Sequence, residues 1–161
     1  LKLLSINLGE VEIMEPFSDV QKNEISKILK VFGFELIDDK KSKTIDKIKT
    51  VIIDLVQNKN NDLKINLSNY LSQELHQDYN TLSNLFSEVE NTTIEKYFIN
   101  QKIEKVKELI MYDELSLSEI AYSLNYSTVS HLSNQFKKVT GFSPTYFKNL
   151  KTIKRKQIED L

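Results

Sequence analysis

The side chains able to do chemistry in this chain fall into two matched sets. One is Ser127, Ser130, His131, Ser133, Asn134, Lys137 and Lys138; the other, fifty residues earlier, is Asn80, Thr81, Ser83, Asn84, Ser87 and Glu88. An outward asparagine amide can donate to and accept from an adenine edge at once, which is worth about 1–3 kcal/mol of discrimination. Hydroxyl and imidazole groups bond base edges singly, and lysine ammonium groups neutralise phosphate. Ser130, His131, Ser133, Asn134, Asn80, Ser83 and Asn84 are therefore the candidate base readers, and Lys137, Lys138, Lys148 and Lys151 the candidate phosphate contacts. The two sets differ at one decisive place. Glu88 stands where Lys138 stands, so phosphate repels the first and attracts the second, and the second set is expected to dominate affinity.

These side chains need helices to present them, and the apolar residues supply the pattern. Leu67, Ser68, Leu82, Ser83, Asn84, Phe86 and Val89 return as Leu117, Ser118, Leu132, Ser133, Asn134, Phe136 and Val139, with similar pairs at Tyr70/Ile120, Leu71/Ala121 and Thr93/Ser143. Such a repeat predicts two copies of one supersecondary unit. Each copy reads as a short helix, a polar break (His76 to Asp78, and Asn125 to Ser127) and a second helix with Leu-x-x-x-Phe-x-x-Val on one face, which is a helix-turn-helix pattern. At about 100° per residue, Val129, Leu132, Phe136 and Val139 point toward a core in the second copy, as do Leu82, Leu85, Phe86 and Val89 in the first.

Between the copies, Thr93 is placed to cap a long helix whose buried face is Ile94, Phe98, Ile103, Val106, Leu109 and Ile110. Ahead of them, Ile45, Ile48, Ile52, Leu55 and Val56 mark another amphipathic helix, with Asn58 to Asp62 as a polar link.

The first third follows a different period. Leu4, Ile6 and Leu8, then Val11 and Ile13, alternate with polar residues and predict two strands. Pro16-Phe17-Ser18 opens a helix with Ser18 as N-cap, an apolar face of Ile25, Ile28, Leu29 and Phe32, and Gly33 as its stop. Phe34 to Ile37 reads as a third strand. The order strand, strand, helix, strand resembles the latter part of a ferredoxin-like βαββαβ domain, similar to the heavy-metal-associated fold. The Cys-x-x-Cys of such metal carriers is absent, so a packing or dimerising role is expected instead, with a homodimer through the N-terminal segment.

Composition narrows the class. Residues 1–66 carry eleven basic and eleven acidic side chains, residues 67–125 four and ten, and residues 126–161 seven and two, giving 0, −6 and +5 for the net −1 of the chain. Positive charge gathers in the second repeat and the tail with Lys151, Lys154, Arg155 and Lys156, an asymmetry that points to nucleic acid. With no cysteine and two histidines, one in each repeat, no metal site is expected. Only three glycines and no Gly-rich phosphate loop argue against an enzyme and against a nucleotide cofactor. No apolar run reaches a membrane span and no signal peptide is visible, so a cytoplasmic protein is expected, with the presence of residues upstream of Leu1 left open. No small-molecule effector is legible.

The second copy reads Leu117-Ser118-x-Ile120-Ala121, Asn125-Tyr126-Ser127, Leu132-Ser133-x-x-Phe136-Lys137-Lys138 and Gly141-x-Ser143-Pro144-x-x-Phe147-Lys148. In this order it resembles the DNA-binding domain of the AraC/XylS family of bacterial transcription regulators, over roughly residues 42–152. The resemblance implies two helix-turn-helix units joined by a rigid linker helix. It also implies double-stranded DNA as partner. Three positions depart from the family pattern: Asn91 in place of glycine, Lys102 in place of arginine and Val106 in place of alanine. Asparagine tolerates a left-handed backbone, whereas Lys102 lacks the planar five-donor fork of arginine.

The expected architecture is mainly α. Residues 1–39 form a partial ferredoxin-like α+β segment and residues 40–161 an AraC-type domain with two helix-turn-helix units. The expected function is sequence-specific transcription regulation, read out mainly by the second recognition helix. The alternative is a protein-interaction module that keeps the fold with weak DNA affinity, and salt-dependent binding separates the two.

Overall fold

A computed structural model describes residues 3–7, 10–14, 18–36, 39–59 and 65–150. The chain divides into two compact units between Asp39 and Lys40.

In the first unit, β1 (Leu3–Asn7) and β2 (Glu10–Ile13) pair antiparallel, with Ile6 opposite Val11 and an irregularity between Leu3 and Ser5. Helix α1 (Asp19–Val31) starts at Ser18 as expected. The Ser18 hydroxyl accepts from the Gln21 N–H, and the Gln21 side chain accepts from the Ser18 N–H. The helix stops at Gly33, whose φ of 80° is the left-handed value glycine adopts without cost. Gly33 N–H donates to the Lys30 carbonyl and Phe34 N–H to the Leu29 carbonyl, the paired bonds of a Schellman cap.

That cap corrects the expected third strand. Phe34 to Leu36 have no strand partner, because the Phe34 N–H a ladder would need is spent on the helix end. The described sheet is two-stranded. The apolar face of α1 is also less covered than expected, since Ile25 and Leu29 are half-buried while Ile28 and Phe32 are exposed, Phe32 at 72%. Two strands and one helix offer too little surface to bury a full stripe. Leu8, Pro16, Phe17 and Ile37 lie outside the described residues.

The second unit is helical. Helix α2 (Asp39–Gln57) buries Ile45, Ile48, Ile52, Leu55 and Val56, the stripe its spacing predicts. Then come α3 (Leu67–Leu75) and α4 (Tyr79–Glu90), the linker α5 (Ile94–Tyr112), α6 (Leu117–Ser123) and α7 (Val129–Thr140), and a last helix, α8, over residues 144–150. The link residues Asn60 to Asp62 lie outside the described residues.

Two hydrophobic cores result. The first joins Ile45, Ile48 and Ile52 of α2 with Leu71, Leu82, Phe86 and Ile94. The second joins Ile103, Val106 and Ile110 of α5 with Ile120, Ala121, Leu124, Tyr126, Leu132 and Phe136. Helix α5 thus contributes its first turn to one core and its later turns to the other. Leu85 and Val89 pack at the edge of the first core as expected. Val139 does not follow its repeat partner and is 41% exposed. The edge of the second core is filled instead by the Phe147 ring, 5.6 Å from that of Phe136 in an edge-on contact. Among the described residues no helix is long and apolar enough to cross a membrane.

Candidate nucleic-acid interface

The turn ahead of α7 is set by local hydrogen bonding. Asn125 takes φ 54°, its N–H donates to the Tyr122 carbonyl, and Tyr126 N–H donates to the Ala121 carbonyl, a second Schellman cap with asparagine at the left-handed position. Thr128 then caps α7, its hydroxyl accepting from the His131 N–H at 3.0 Å. Lys137 and Lys138 occupy the last turn, where ammonium groups favour the negative end of the helix dipole. Gly141, at φ 83°, ends the helix by donating to the Lys137 carbonyl at 2.8 Å.

With Leu132 and Phe136 fully buried, the opposite side of α7 exposes Ser130, His131, Asn134, Lys137 and Lys138. These five cover an arc of about 120° at 100° per residue. Ser133 is half-buried on the flank. His131 Nδ1 is 3.1 Å from the Ser127 hydroxyl, which links the imidazole to the turn. No carboxylate pairs with Lys137 or Lys138 among the described residues. Lys148 differs, because its ammonium lies 2.5 Å from the Asp113 carboxylate at the end of α5. Lys151 lies outside the described residues.

Helix α4 repeats the construction with Asp78 as N-cap, accepting from Thr81 N–H at 3.2 Å, and with Asn91 as the left-handed C-cap at φ 52°. Asn80, Thr81, Asn84 and Glu88 are exposed, with Ser83 and Ser87 half-buried. The Glu88 carboxylate accepts from Lys41 of α2 at 3.0 Å. Tyr79 at the start of α4 donates to Glu95 in the first turn of α5. Burial, and then that bond to a carboxylate, push the Tyr79 phenol up; the same bond holds Glu95 below the usual carboxylate range.

Three residues in this region are outside the sequence-derived set. Lys102 of α5 is 7% exposed and is the buried charged side chain of the described residues. Its ammonium lies 3.8 Å from the centre of the Tyr126 ring and 5.8 Å from that of Phe98. Burial pushes its pKa down to about 8, and pushes the Tyr126 phenol up. Tyr126 donates its hydroxyl to Gln135 of α7 at 2.7 Å, and its ring meets that of His131 at 5.4 Å and 85°. Helical geometry carries a faint signal for Lys102, which falls at the flank of the stripe Ile99, Ile103, Val106 and Ile110. Among the described residues no three His, Asp or Glu side chains converge on a metal-binding geometry.

Residues 71–149 match the helix-turn-helix domain family. Solved structures agree. The C-terminal domain of AraT, a response regulator from Geobacillus stearothermophilus, is similar at 22% identity and TM-score 0.58, over 66% of this chain and 84% of that one. The C-terminal domain of the two-component response regulator yesN from Fusobacterium nucleatum subsp. nucleatum ATCC 25586 is similar at 25% identity and TM-score 0.54, over 63% and 98%. This chain carries an AraC-type helix-turn-helix domain. A DNA-binding transcriptional dual regulator from Escherichia coli K-12 resembles it at 22% identity and TM-score 0.57, over 68% of this chain and 92% of that one. No curated protein matches the chain. Within the AraC-type domain, Asn91 keeps the left-handed cap that glycine makes at Gly141, and Lys102 is a buried cation of the linker helix.

Proposed function

We propose that this chain is a sequence-specific DNA-binding transcription regulator whose AraC-type domain reads the major groove mainly with α7. The supporting observation is the exposed arc of Ser130, His131, Asn134, Lys137 and Lys138 on a helix whose other side is fixed by Leu132 and Phe136. A helix so anchored can enter the groove with its early residues at base edges. Asn134 offers the bidentate geometry adenine accepts, Ser130 and His131 offer single contacts, and Lys137 and Lys138 reach phosphates. Helix α4 plays the smaller part. Asn80 and Asn84 face outward there, but Glu88 keeps a carboxylate beside any phosphate. Lys148 contributes to phosphate binding only by sharing its charge with Asp113.

Equilibrium binding of labelled duplex DNA across a salt series tests the reading, with His131, Asn134 and Lys138 replaced together by alanine. Binding with a steep salt slope that flattens in the variant supports it. Binding that ignores the variant removes α7 as the reading helix. No binding at low salt leaves a protein-interaction module as the better account.

A further inference from the structure

A lysine without a carboxylate partner is an expensive occupant of a protein interior, because its ammonium loses water and gains no opposite charge. Lys102 is such a residue, and what surrounds its ammonium is aromatic: the Tyr126 ring at 3.8 Å and the Phe98 ring at 5.8 Å. A cation over a desolvated aromatic face is attracted by the ring quadrupole, most strongly when little water competes. The contact therefore restrains Tyr126 in the turn between α6 and α7. Tyr126 passes the restraint on at two points about one helical turn apart, through its hydroxyl on Gln135 and its ring against His131.

We propose that Lys102 is a positioning residue for the recognition helix, acting through Tyr126 to hold the first turns of α7 and with them the His131 imidazole in register with the linker helix. This rests on the reading of α7 as the groove-entering helix, since His131 and Asn134 matter only if their side chains meet DNA. The cost of burying Lys102 then has a return in the placement of those side chains. An apolar side chain of similar length would fill the same space without holding the ring.

The test compares the full chain with Lys102→Met, Lys102→Arg and Tyr126→Phe, measuring two properties. The first needs no DNA: amide hydrogen exchange at residues 129–135. Lys102→Met is expected to keep its circular dichroism and to lose no stability in urea while those amides exchange about ten-fold faster, the scale of losing one buried cation–π contact. Lys102→Arg restores protection to within about two-fold, because a guanidinium also stacks on the ring. Tyr126→Phe keeps the ring and loses the Gln135 bond, so the increase centres on Gln135.

The second property is affinity for duplex DNA. Lys102→Met is expected to weaken it about ten-fold with an unchanged salt slope, since Lys137 and Lys138 remain. Unchanged exchange at residues 129–135 in Lys102→Met, or no recovery in Lys102→Arg, overturns the proposal. If the unaltered chain binds no DNA, the function assigned to α7 fails, while the exchange comparison still decides whether Lys102 holds the helix.

Discussion

Lys41 of α2 and Glu88 of α4 form an ion pair at 3.0 Å across two helices that share the first core. The carboxylate that distinguishes α4 from α7 is thus already engaged by a lysine that phosphate would otherwise attract. Glu88→Gln frees that cation and removes a repulsive charge. We expect binding to nonspecific duplex to tighten several-fold near 0.1 M salt, with the salt slope steeper by about 0.9 for one added phosphate contact. The pair is exposed, so thermal unfolding should move little, within about 0.5 kcal/mol. An unchanged slope would mean that α4 stays off the duplex.

The left-handed caps make a matched pair for stability. A Cβ at Gly141 would meet nothing within 4 Å, so Gly141→Ala isolates backbone strain at φ 83°. The expected loss is about 1–2 kcal/mol by urea denaturation. Gly141→Asn should recover much of it, because Asn91 already serves in the equivalent place at φ 52°.

Two cores joined by one helix imply damage that stays local. Phe136→Ala opens a cavity in the second core and should cost about 3–5 kcal/mol. Hydrogen exchange is expected to show α6 and α7 losing protection while α3 and α4 keep most of theirs. Phe86→Ala should reverse the pattern. Equal loss throughout in both variants would show that α5 couples the cores into one cooperative unit.

Lys102 also predicts a pH dependence. Its pKa falls from the ordinary lysine value of 10.5 to about 8 on burial. Between those values the unfolded chain holds a proton that the folded chain has released, so stability rises with pH across that window. Lys102→Met removes the effect. From pH 8, where the folded lysine is half deprotonated, to pH 9.5 the unaltered chain should gain about 1.5 kcal/mol relative to the variant, below the full slope of about 1.36 kcal/mol per pH unit. A constant difference in urea midpoints would show that the ammonium is not desolvated.

The helices and their faces were legible because they are local. The shift of fifty residues, the i, i+3, i+4 spacing and the caps at Ser18 and Thr93 need only neighbours along the chain; the helices start where those signals say, and α2 buries the stripe its spacing predicts. Asn91 was legible for the same reason, as a cap whose backbone preference is a property of one residue. The exposed arc of α7 followed from Leu132 and Phe136 alone.

What failed or was missed depends on partners far apart in sequence. Phe34 to Leu36 has strand-like residues, but a strand needs a neighbour with free N–H and C=O groups, and the helix cap took the Phe34 N–H first. Val139 has the right residue type and phase, yet Phe147 reached the core edge instead. The pairings Lys41 with Glu88, Lys148 with Asp113 and Lys102 with Tyr126 join segments far apart in the chain, so no periodicity encodes them. The sequence by itself determined which helices form, where they are capped and which side chains each presents to water. Only the tertiary structure decided which charges are free and which are spent, because a Coulombic or cation–π contact depends on distances across the fold that chain spacing does not contain.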